Sequence, residues 1–376
     1  MTKRSPRLPD AFVERLYAAF SPARAEQILA GMRRPRPVTL RVNTLKTDVR
    51  SLMAHLQQAR IKVDRVAWHP EALVAKDARE RDLAALPGYE QGLFYLQSLS
   101  SMLPPLVLAP QPGERVLDLA AAPGSKTTQM AAMMDNRGYI LANDANPVRA
   151  ERLRFNLSRQ GVAIAEVNVH DGRRVGRRLG PVFDRVLLDA PCSGEGRFVE
   201  GDPRTYRHWS EQLVRRMVAL QRRLLASALR ATRPGGVVVY ATCTLNPDEN
   251  EGVVDWALKR YGEAIEVLPV ALDVPGRWEG LTEVGGVSLH PSLRLAVRIP
   301  PSPTMEGFFV CKLRVREGGE PWQASSRPST WSRVEPEGWG SLAPAGWAAG
   351  GGCCCRTWRR GDWPRWPRSS RRAASR

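Results

Sequence analysis

A regular alternation of strand-like and helix-like segments, beginning at about residue 113, is the feature that most limits the fold of this chain. Apolar segments such as ERVLDLAA, GYILANDA and GVVVYATC are each followed by a segment with helical character. Strands and helices that alternate along a chain form a parallel sheet with helices packed on its faces. We therefore predict an α/β domain whose functional site lies at the carboxyl ends of its strands.

The segments before and after this domain have a different character. Up to about residue 100 the patterns predict a small basic α+β unit, with VTLRVNT as a strand and VDRVAWHPEALVA as a broken strand. Its predicted helices are LPDAFVERLYAAF, SPARAEQILAGM and DVRSLMAHLQQA. Beyond residue 317 the composition changes, because seven of the eleven tryptophans lie there and no lysine does. We expect this tail to be disordered.

The formal net charge of +18 predicts a polyanionic partner, since clustered Lys and Arg attract phosphate backbones. The alternative is a solvated basic surface without a partner. No apolar run reaches the ~18 residues that span a bilayer, so we expect a soluble, cytoplasmic, monomeric protein without membrane contact. Six cysteines without a recurring CxxC pair predict reduced thiols and no metal site.

The first strand of the α/β region ends in LDLAAAPGSKTTQ, a loop of small residues before a helix. Small residues let a ligand approach the backbone, and the helix N-terminus offers free N–H groups. Asp144 closes the next strand, where an acid typically accepts hydrogen bonds from ribose hydroxyls. Because the loop lacks the first two glycines of a dinucleotide site, we predict S-adenosylmethionine, which has no pyrophosphate. Asp171 and Asp189 close later strands, and we expect the three acids to converge on one crevice.

Two cysteines also follow apolar strands, and each stands at a turn. Cys192 lies in LLDAPCSGEG and Cys243 in YATCTLNPDENEG. Together with AAAPGSKTT, LRVNTLK and EGFFVCKL, these motifs resemble the RNA cytosine-C5 methyltransferases of the NOL1/NOP2/Sun family, most closely the bacterial branch that acts on small-subunit ribosomal RNA. The resemblance covers residues 8–315. Cys311, inside the apolar strand GFFVCKLRV, is instead predicted to be a core residue.

The resemblance implies a fold and a division into domains. The fold would be a class I S-adenosylmethionine-dependent methyltransferase, which is Rossmann-like with a mostly parallel seven-stranded sheet, preceded by a small N-terminal α+β RNA-binding domain. We expect the N-terminal domain at residues 1–100 and the methyltransferase domain at 101–316. The tail would then span 317–376.

The resemblance also implies how the two thiols would act. C5 of cytosine is a poor nucleophile, and a thiolate that adds to C6 makes C5 reactive. In the family the nucleophile is the cysteine of the TCT motif, here Cys243, whereas the cysteine of PCSG, here Cys192, assists release of the methylated base. Asp189 would hydrogen-bond the N3 and N4 edge of the base, and Lys126 would supply positive charge.

The positions expected to contact cofactor and RNA follow from the same resemblance. The cofactor would contact the loop and the three strand-end acids, namely Ala120, Ala121, Ala122, Pro123, Gly124, Ser125, Lys126, Asp144, Asp171 and Asp189. RNA would contact Arg41, Asn43, Lys46 and Pro191. We also expect a helix directly after Cys243, with Asn246 or Asp248 as its cap, whose N-terminus would help the thiol to ionise.

Alternatives to this function stay open at this point. A transfer RNA could replace ribosomal RNA as substrate, because ribosomal members continue into a further RNA-binding domain that the tail does not show. A ribosome-assembly factor with this fold and little activity would also bind RNA, although both cysteines and all three acids are present. A DNA cytosine methyltransferase would attack C6 too, but its nucleophile corresponds to Cys192 and it lacks the TCT cysteine. PGSK and ATCT in place of the family's commoner PGGK and STCT are mild departures.

Overall fold

The computed structural model describes residues 7–33 and 35–318. Apart from its first two positions, the predicted tail at 317–376 lies outside the described residues. Within the described part, no helix is long and apolar enough to cross a membrane. Nor does that part contain a group of His, Cys, Asp and Glu side chains arranged to hold a metal ion.

Two helices open the described chain and pack against the loops of the α/β part. They are α1 (Asp10–Ala19) and α2 (Pro22–Met32), both predicted from the sequence. Their apolar faces form one cluster in which Phe12 lies with Phe198 and Leu245. The N-terminal helices therefore cover the chain that follows each of the two cysteine motifs.

A small antiparallel sheet follows, with the strand order β2-β3-β1-β4. The elements of this part are β1 (Val38–Val42), α3 (Val49–Gln58), β2 (Val63–Val66), β3 (His69–Ala75), α4 (Glu80–Ala84), α5 (Pro87–Glu90) and β4 (Phe94–Leu96). The segment predicted as one broken strand forms the hairpin of β2 and β3, in which Val66 pairs with His69. The break in its pattern is the turn at residues 67 and 68.

The remaining elements alternate as the sequence predicts. They are α6 (Leu103–Leu108), β5 (Arg115–Asp118), α7 (Ser125–Met133), β6 (Tyr139–Asn143), α8 (Pro147–Gln160), β7 (Ala165–Asn168), α9 (Gly172–Leu179), β8 (Phe183–Asp189), α10 (Glu211–Ala231), β9 (Thr232–Thr242), α11 (Glu251–Tyr261), β10 (Ile265–Leu268), β11 (Trp278–Glu279), β12 (Glu283–Val284), β13 (Val287–Ser288), β14 (Val297–Ile299) and β15 (Phe308–Val315). Short 3-10 helices lie at Ser100–Met102, Glu195–Arg197, Pro203–Thr205, Gly262–Ala264 and Pro291–Leu295.

The large sheet has the strand order β11-β14-β15-β9-β8-β5-β6-β7, and β10 also pairs with β15. The strands from β5 to β9 pair in parallel, whereas β10, β11, β14 and β15 form antiparallel pairs. The predicted class I α/β fold is confirmed. The described sheet has nine strands rather than the expected seven. The strands β11 and β14 could not be predicted, because they are too short to show a period in the sequence.

Apolar residues alternate along β9 and fill the core on both faces of this sheet. Val238 and Tyr240 belong to the cluster that α9, α10 and α11 cover, and Val239 and Ala241 belong to the cluster on the other face. A strand that is apolar on both faces lies in the middle of a layered α/β structure. Cys311 on β15 is fully buried in the first of these clusters, which confirms it as a core residue.

Arg41 lies at the junction between the small sheet and helix α7. It is 2% exposed, and its guanidinium donates to Oε1 of Gln97 (2.6 Å), the carbonyl of Ser125 (2.8 Å) and Oγ1 of Thr128 (2.9 Å). Burial lowers the pKa of Arg41 to about 10. This placement corrects the prediction that Arg41 faces RNA, because its guanidinium is buried and its two terminal nitrogens donate within the protein.

Asn43 and Lys46 join the small sheet to helix α8. Asn43 is 1% exposed, and its Nδ2 donates to the carbonyls of Gly92 (2.8 Å) and Gln160 (2.8 Å). Lys46 is exposed, and its Nζ donates to the carbonyl of Arg159 (2.7 Å). Asn43 therefore does not fit the predicted RNA contact, whereas an RNA contact by Lys46 stays a prediction.

Replacing Arg41 by alanine tests this junction. Arg41→Ala leaves buried acceptors without donors, so we expect the free energy of unfolding to fall by about 2 to 4 kcal/mol. Urea unfolding would measure the change. Arg65→Ala, at an exposed position of β2, is the control and should change stability by less than about 0.5 kcal/mol. Unchanged stability of Arg41→Ala with weaker RNA binding would restore the original prediction.

Candidate active site

Two cysteines and two acids meet at the carboxyl edge of the parallel strands. Asp118 is the last residue of β5 and Asp189 is the last residue of β8, its neighbour in the sheet. Cys192 follows β8, and Cys243 directly follows β9, the next strand. Since neighbouring parallel strands end at the same edge, residues far apart in the sequence are brought together here.

The two cysteine side chains are in contact. Their Sγ atoms lie 3.3 Å apart, and both residues are half-buried. The hydrogen bond to Cys243 raises the pKa of Cys192 well above its ordinary value, and burial and the charges of Glu249 and Asp189 raise it further. The contact, the burial and the neighbouring carboxylates therefore all disfavour a thiolate at Cys192.

A partly buried ion pair lies beside the thiols. Nζ of Lys126 is 2.6 Å from Oδ2 of Asp189 and donates to Oγ of Ser101 (2.8 Å). Lys126 comes from the second position of α7, and Asp189 is close enough to Cys192 for its charge to raise the pKa of that thiol. The sequence prediction that Lys126 and Asp189 share one site fits this geometry.

The loop from Ala120 to Lys126 approaches helix α8 closely. Gly124 has a φ of 108°, and a Cβ atom there would lie 2.8 Å from Cδ1 of Leu153. Asp144 is buried, and its carboxylate accepts hydrogen bonds from the N–H groups of Ala122 (3.2 Å) and Asn146 (2.9 Å). The acid that closes β6 is therefore fixed directly against the loop.

Asp118 is a member of this site that the sequence analysis missed. Its Oδ2 accepts a hydrogen bond from Oγ1 of Thr127 (2.7 Å), and its buried Oδ1 has no hydrogen-bond partner among the described residues. Burial raises the pKa of Asp118 to about 7, and the charges of Lys126, Asp189 and Asp144 also act on it. The available signal was its place in LDLAAAPGSK, where an acid closes the first strand, as Asp144 closes the second.

Asp171 takes a different position from the other acids. Its side chain caps helix α9 by accepting from the N–H of Arg173 (3.0 Å), and it forms an ion pair with that arginine (2.7 Å). The hydrogen bond from Arg173 lowers the pKa of Asp171. The charges of Asp144 and Asp189 act on Asp118, whereas the carboxylate of Asp171 is engaged by Arg173, so the expected convergence does not extend to Asp171 in this structure.

The segment after Cys243 is a turn rather than the start of a helix. Helix α11 begins at Glu251, and Oδ1 of Asn246 accepts from the N–H of Asp248 (3.0 Å) within the turn. The prediction of a helix directly after Cys243 is therefore wrong, although Asn246 does cap the turn. Pro191, directly before Cys192, is half-buried, and its contact with RNA stays a prediction.

Comparison with known proteins identifies the family. The model of the 16S rRNA methyltransferase RsmB/F family matches residues 105–314, and that of the ferredoxin-like domain of RsmF/B-like methyltransferases matches residues 8–80. The chain belongs to the RsmB/F family. The resemblance to the bacterial ribosomal-RNA branch is thereby confirmed.

Curated relatives and solved structures agree with this family. The chain is 40% identical to ribosomal RNA small subunit methyltransferase F of Cronobacter sakazakii over 84% of this chain and 65% of the relative. The corresponding protein of Escherichia coli O127:H6 is also 40% identical, over 84% and 64%. A methyltransferase homolog protein from Pyrococcus horikoshii has a TM-score of 0.71 at 35% identity, covering 82% of this chain and 95% of that one. The chain thus spans slightly less than two thirds of the length of these curated relatives.

The raised pKa of Asp118 predicts a pH dependence of stability. A carboxyl whose pKa is raised in the folded state binds its proton more tightly there, so stability is lost as the pH rises from about 4 to about 7. Ionisation of Asp118 over this range should cost about 4 kcal/mol. Asp118→Asn cannot ionise at this position. Its free energy of unfolding, measured with urea, should therefore fall less between pH 5 and pH 8 than that of the wild type.

Asp171→Asn is the matched control for this measurement. The pKa of Asp171 is lowered rather than raised, so this variant should keep the wild-type loss of stability between pH 5 and pH 8. An equal loss in wild type and Asp118→Asn would show that Asp118 is ionised in the folded protein at both pH values.

Proposed function

We propose that this chain is an S-adenosylmethionine-dependent enzyme that methylates C5 of a cytosine in RNA, through a covalent adduct between Cys243 and C6. The observation that carries the proposal is the contact of the two thiols, 3.3 Å apart, at the edge where Lys126 and Asp189 also lie. A structural role for two half-buried thiols would not require this pair of charges beside them. The family to which the chain belongs supports the same conclusion.

The residues of the loop fit the proposed cofactor. The cofactor has ribose hydroxyls and an ammonium group, and both are donors that suit buried carboxylates. Asp144 lies against the loop at Ala122, and Oδ1 of Asp118 is a buried acceptor without a partner in the described residues. When bound, S-adenosylmethionine would supply an electrophilic methyl group for the activated C5 carbon. Asp118, Asp144 and the loop at 120–126 are the residues that we expect to hold it.

The two thiols would have different tasks in this reaction. The thiolate of Cys243 would add to C6, which gives C5 the electron density of an enamine. Release of the product needs transfer of the C5 proton to a base and breakage of the bond between Cys243 and C6. Cys192 lies in contact with Cys243, and its thiol could donate a proton to the sulfur of Cys243 as that sulfur leaves C6, which suits a role in release rather than in attack.

Asp189 and Lys126 would act on the polar edge of the base. A carboxylate can accept a hydrogen bond from the N4 amino group and from a protonated N3, and N3 becomes more basic, so that it holds a proton more tightly, when the thiolate adds to C6. The site of Asp189 is partly buried, and such a contact is stronger away from bulk water. Lys126 would hold the carboxylate in place through the 2.6 Å ion pair.

The RNA that we propose as substrate is 16S ribosomal RNA, which the names of the family and of the curated relatives support. Transfer RNA stays the alternative, because the chain spans less than two thirds of those relatives. We propose a cytoplasmic location and a monomer that meets this RNA through its basic surface, for which the net charge of +18 is the support. No separate observation favours a DNA substrate.

Alanine variants of the two cysteines test the mechanism. Cys243→Ala should lose methylation of RNA by about a thousandfold or more and form no covalent complex, because no nucleophile is left. Cys192→Ala should accumulate a covalent protein–RNA complex that survives denaturing electrophoresis, because release is impaired. Cys311→Ala, in the core, is the control for the loss of a thiol and should keep the wild-type pattern.

Two results would contradict this assignment. An adduct formed by Cys243→Ala and lost in Cys192→Ala would exchange the two roles. Full methylation by both variants would exclude covalent catalysis by these thiols. Bisulfite sequencing of RNA from cells without the gene would identify the nucleotide, and a site in transfer RNA would replace ribosomal RNA as the substrate.

A further inference from the structure

Glu249 is a buried carboxylate whose side-chain contacts fix the chain on both sides of Cys192. Its Oε2 accepts from the N–H of Ser193 (2.9 Å) and from Nε2 of Gln221 (2.8 Å), and its Oε1 accepts from the hydroxyl of Ser193. Nε2 of Gln221 also donates to the carbonyl of Pro191 (2.8 Å). The residues before and after Cys192 are therefore both tied to one carboxylate.

Asn250, the next residue, makes the corresponding contacts around Cys243. Its Nδ2 donates to the carbonyl of Thr244 (3.0 Å), and its Oδ1 accepts from Oγ1 of Thr242 (2.5 Å). The carbonyl of Cys243 itself accepts from the N–H of Gly196, in the chain that follows Cys192 (3.0 Å). The residues before and after Cys243 are thus tied to one amide side chain.

These two sets of contacts are connected to each other. Oγ of Ser193 lies 2.7 Å from Oγ1 of Thr244, so a hydroxyl pair bridges the two cysteine loops. Glu249 and Asn250 are both fully buried, and buried polar groups do not exchange these partners for water. Burial raises the pKa of Glu249 to about 7, and the hydrogen bonds from Ser193 and Gln221 act in the opposite direction. The network is therefore a fixed connection between the loops rather than a solvated turn.

We propose that Glu249 and Asn250 are positioning residues for the two thiols. They fix the separation of the two sulfur atoms by holding the residues that flank Cys192 and Cys243. The proposal deepens the function proposed above and rests on it for its consequence in catalysis, but the geometric claim is independent of any RNA. Neither residue touches the reacting atoms, so each acts through the cysteine loops.

Oxidation by diamide measures the approach of the two thiols without RNA. Each molecule of diamide takes two hydrogen atoms from two thiols at its N=N bond, which gives one disulfide and one hydrazine derivative. We expect the disulfide between Cys192 and Cys243, quantified by mass spectrometry of the linked peptides from the full chain, to form rapidly in the wild type. In Glu249→Gln it should form about tenfold more slowly, because one acceptor oxygen becomes a donor and the amide can no longer accept from both the N–H and the hydroxyl of Ser193.

Two further variants make the measurement decisive. Asp248→Asn removes an acid from the same turn, but Asp248 is exposed and binds Arg15 instead (2.6 Å), so this control should react at the wild-type rate. Ser193→Ala removes only the hydroxyl that bridges Glu249 and Thr244, and it should also slow the disulfide. If Glu249→Gln does not fold, the rate of disulfide formation in Ser193→Ala alone tests the proposal. Wild-type rates in every folded variant of Glu249 and Ser193 would overturn the proposal.

The reaction with RNA shows whether Glu249 positions the cysteine loops or only stabilises the folded protein. We expect Glu249→Gln to lower kcat with little change in KM and to raise the fraction of protein trapped as covalent RNA complex, because the Cys192 loop is displaced. A purely structural role would lower adduct and product together, in proportion to the folded protein, and would overturn the proposal. If the wild type neither forms an adduct nor methylates RNA, the proposed function fails, and the diamide rates still decide the geometric claim.

Discussion

The parallel pairing of β8 with β9 is the interaction on which the site depends. Leu188 pairs with Tyr240 and Asp189 with Ala241, so the two strands end at the same edge of the sheet. The residues that follow these strands, Cys192 and Cys243, therefore meet although they are far apart in the sequence. A shift of this register would separate the thiols and would move Asp189 away from Lys126, since every residue beyond the strand end would move with it.

The N-terminal part supports this edge in addition to any contact with RNA. Arg41 donates to the carbonyl of Ser125, next to Lys126, and so helps to hold the loop at the start of α7. Arg15 on α1 binds Asp248 in the turn after Cys243. Because the contact of Arg41 reaches the loop from outside the sheet, whereas the pair of Arg15 with Asp248 is exposed, loss of the N-terminal part would disturb the loop at the start of α7 more than the turn.

The sequence predicts the large features of this structure well. Helices and strands longer than about four residues carry their own apolar period, so α1, α2, α10 and the parallel strands could be recognised from the pattern. That Cys192, Cys243, Lys126 and Asp189 lie in one site follows from motifs at strand ends and from the family resemblance that these motifs carry, whereas the ion pair of Lys126 with Asp189 was not predicted.

The features that the sequence could not predict depend on which face of a strand a side chain occupies and on tertiary contacts. Alternate residues of a strand point to opposite faces, and nothing in LRVNTLK shows that Arg41 and Asn43 point into the protein. Asp171 was predicted to close a strand as Asp144 does, but β7 ends at Asn168 and Arg173 engages the carboxylate of Asp171 at the start of α9. Two buried side chains, Glu249 and Asn250, occupy a segment rich in polar residues that the sequence suggested as the start of a helix.

The central claim is that Cys243 attacks and Cys192 does not. RNA in which the target cytosine carries fluorine at C5 tests it directly in the wild-type protein, because the fluorine cannot leave as the C5 proton does and the adduct persists. Peptide mapping by mass spectrometry after incubation with this RNA and S-adenosylmethionine identifies the attached cysteine. The account predicts a nucleotide on the peptide of Cys243, and a nucleotide on the peptide of Cys192 would contradict it.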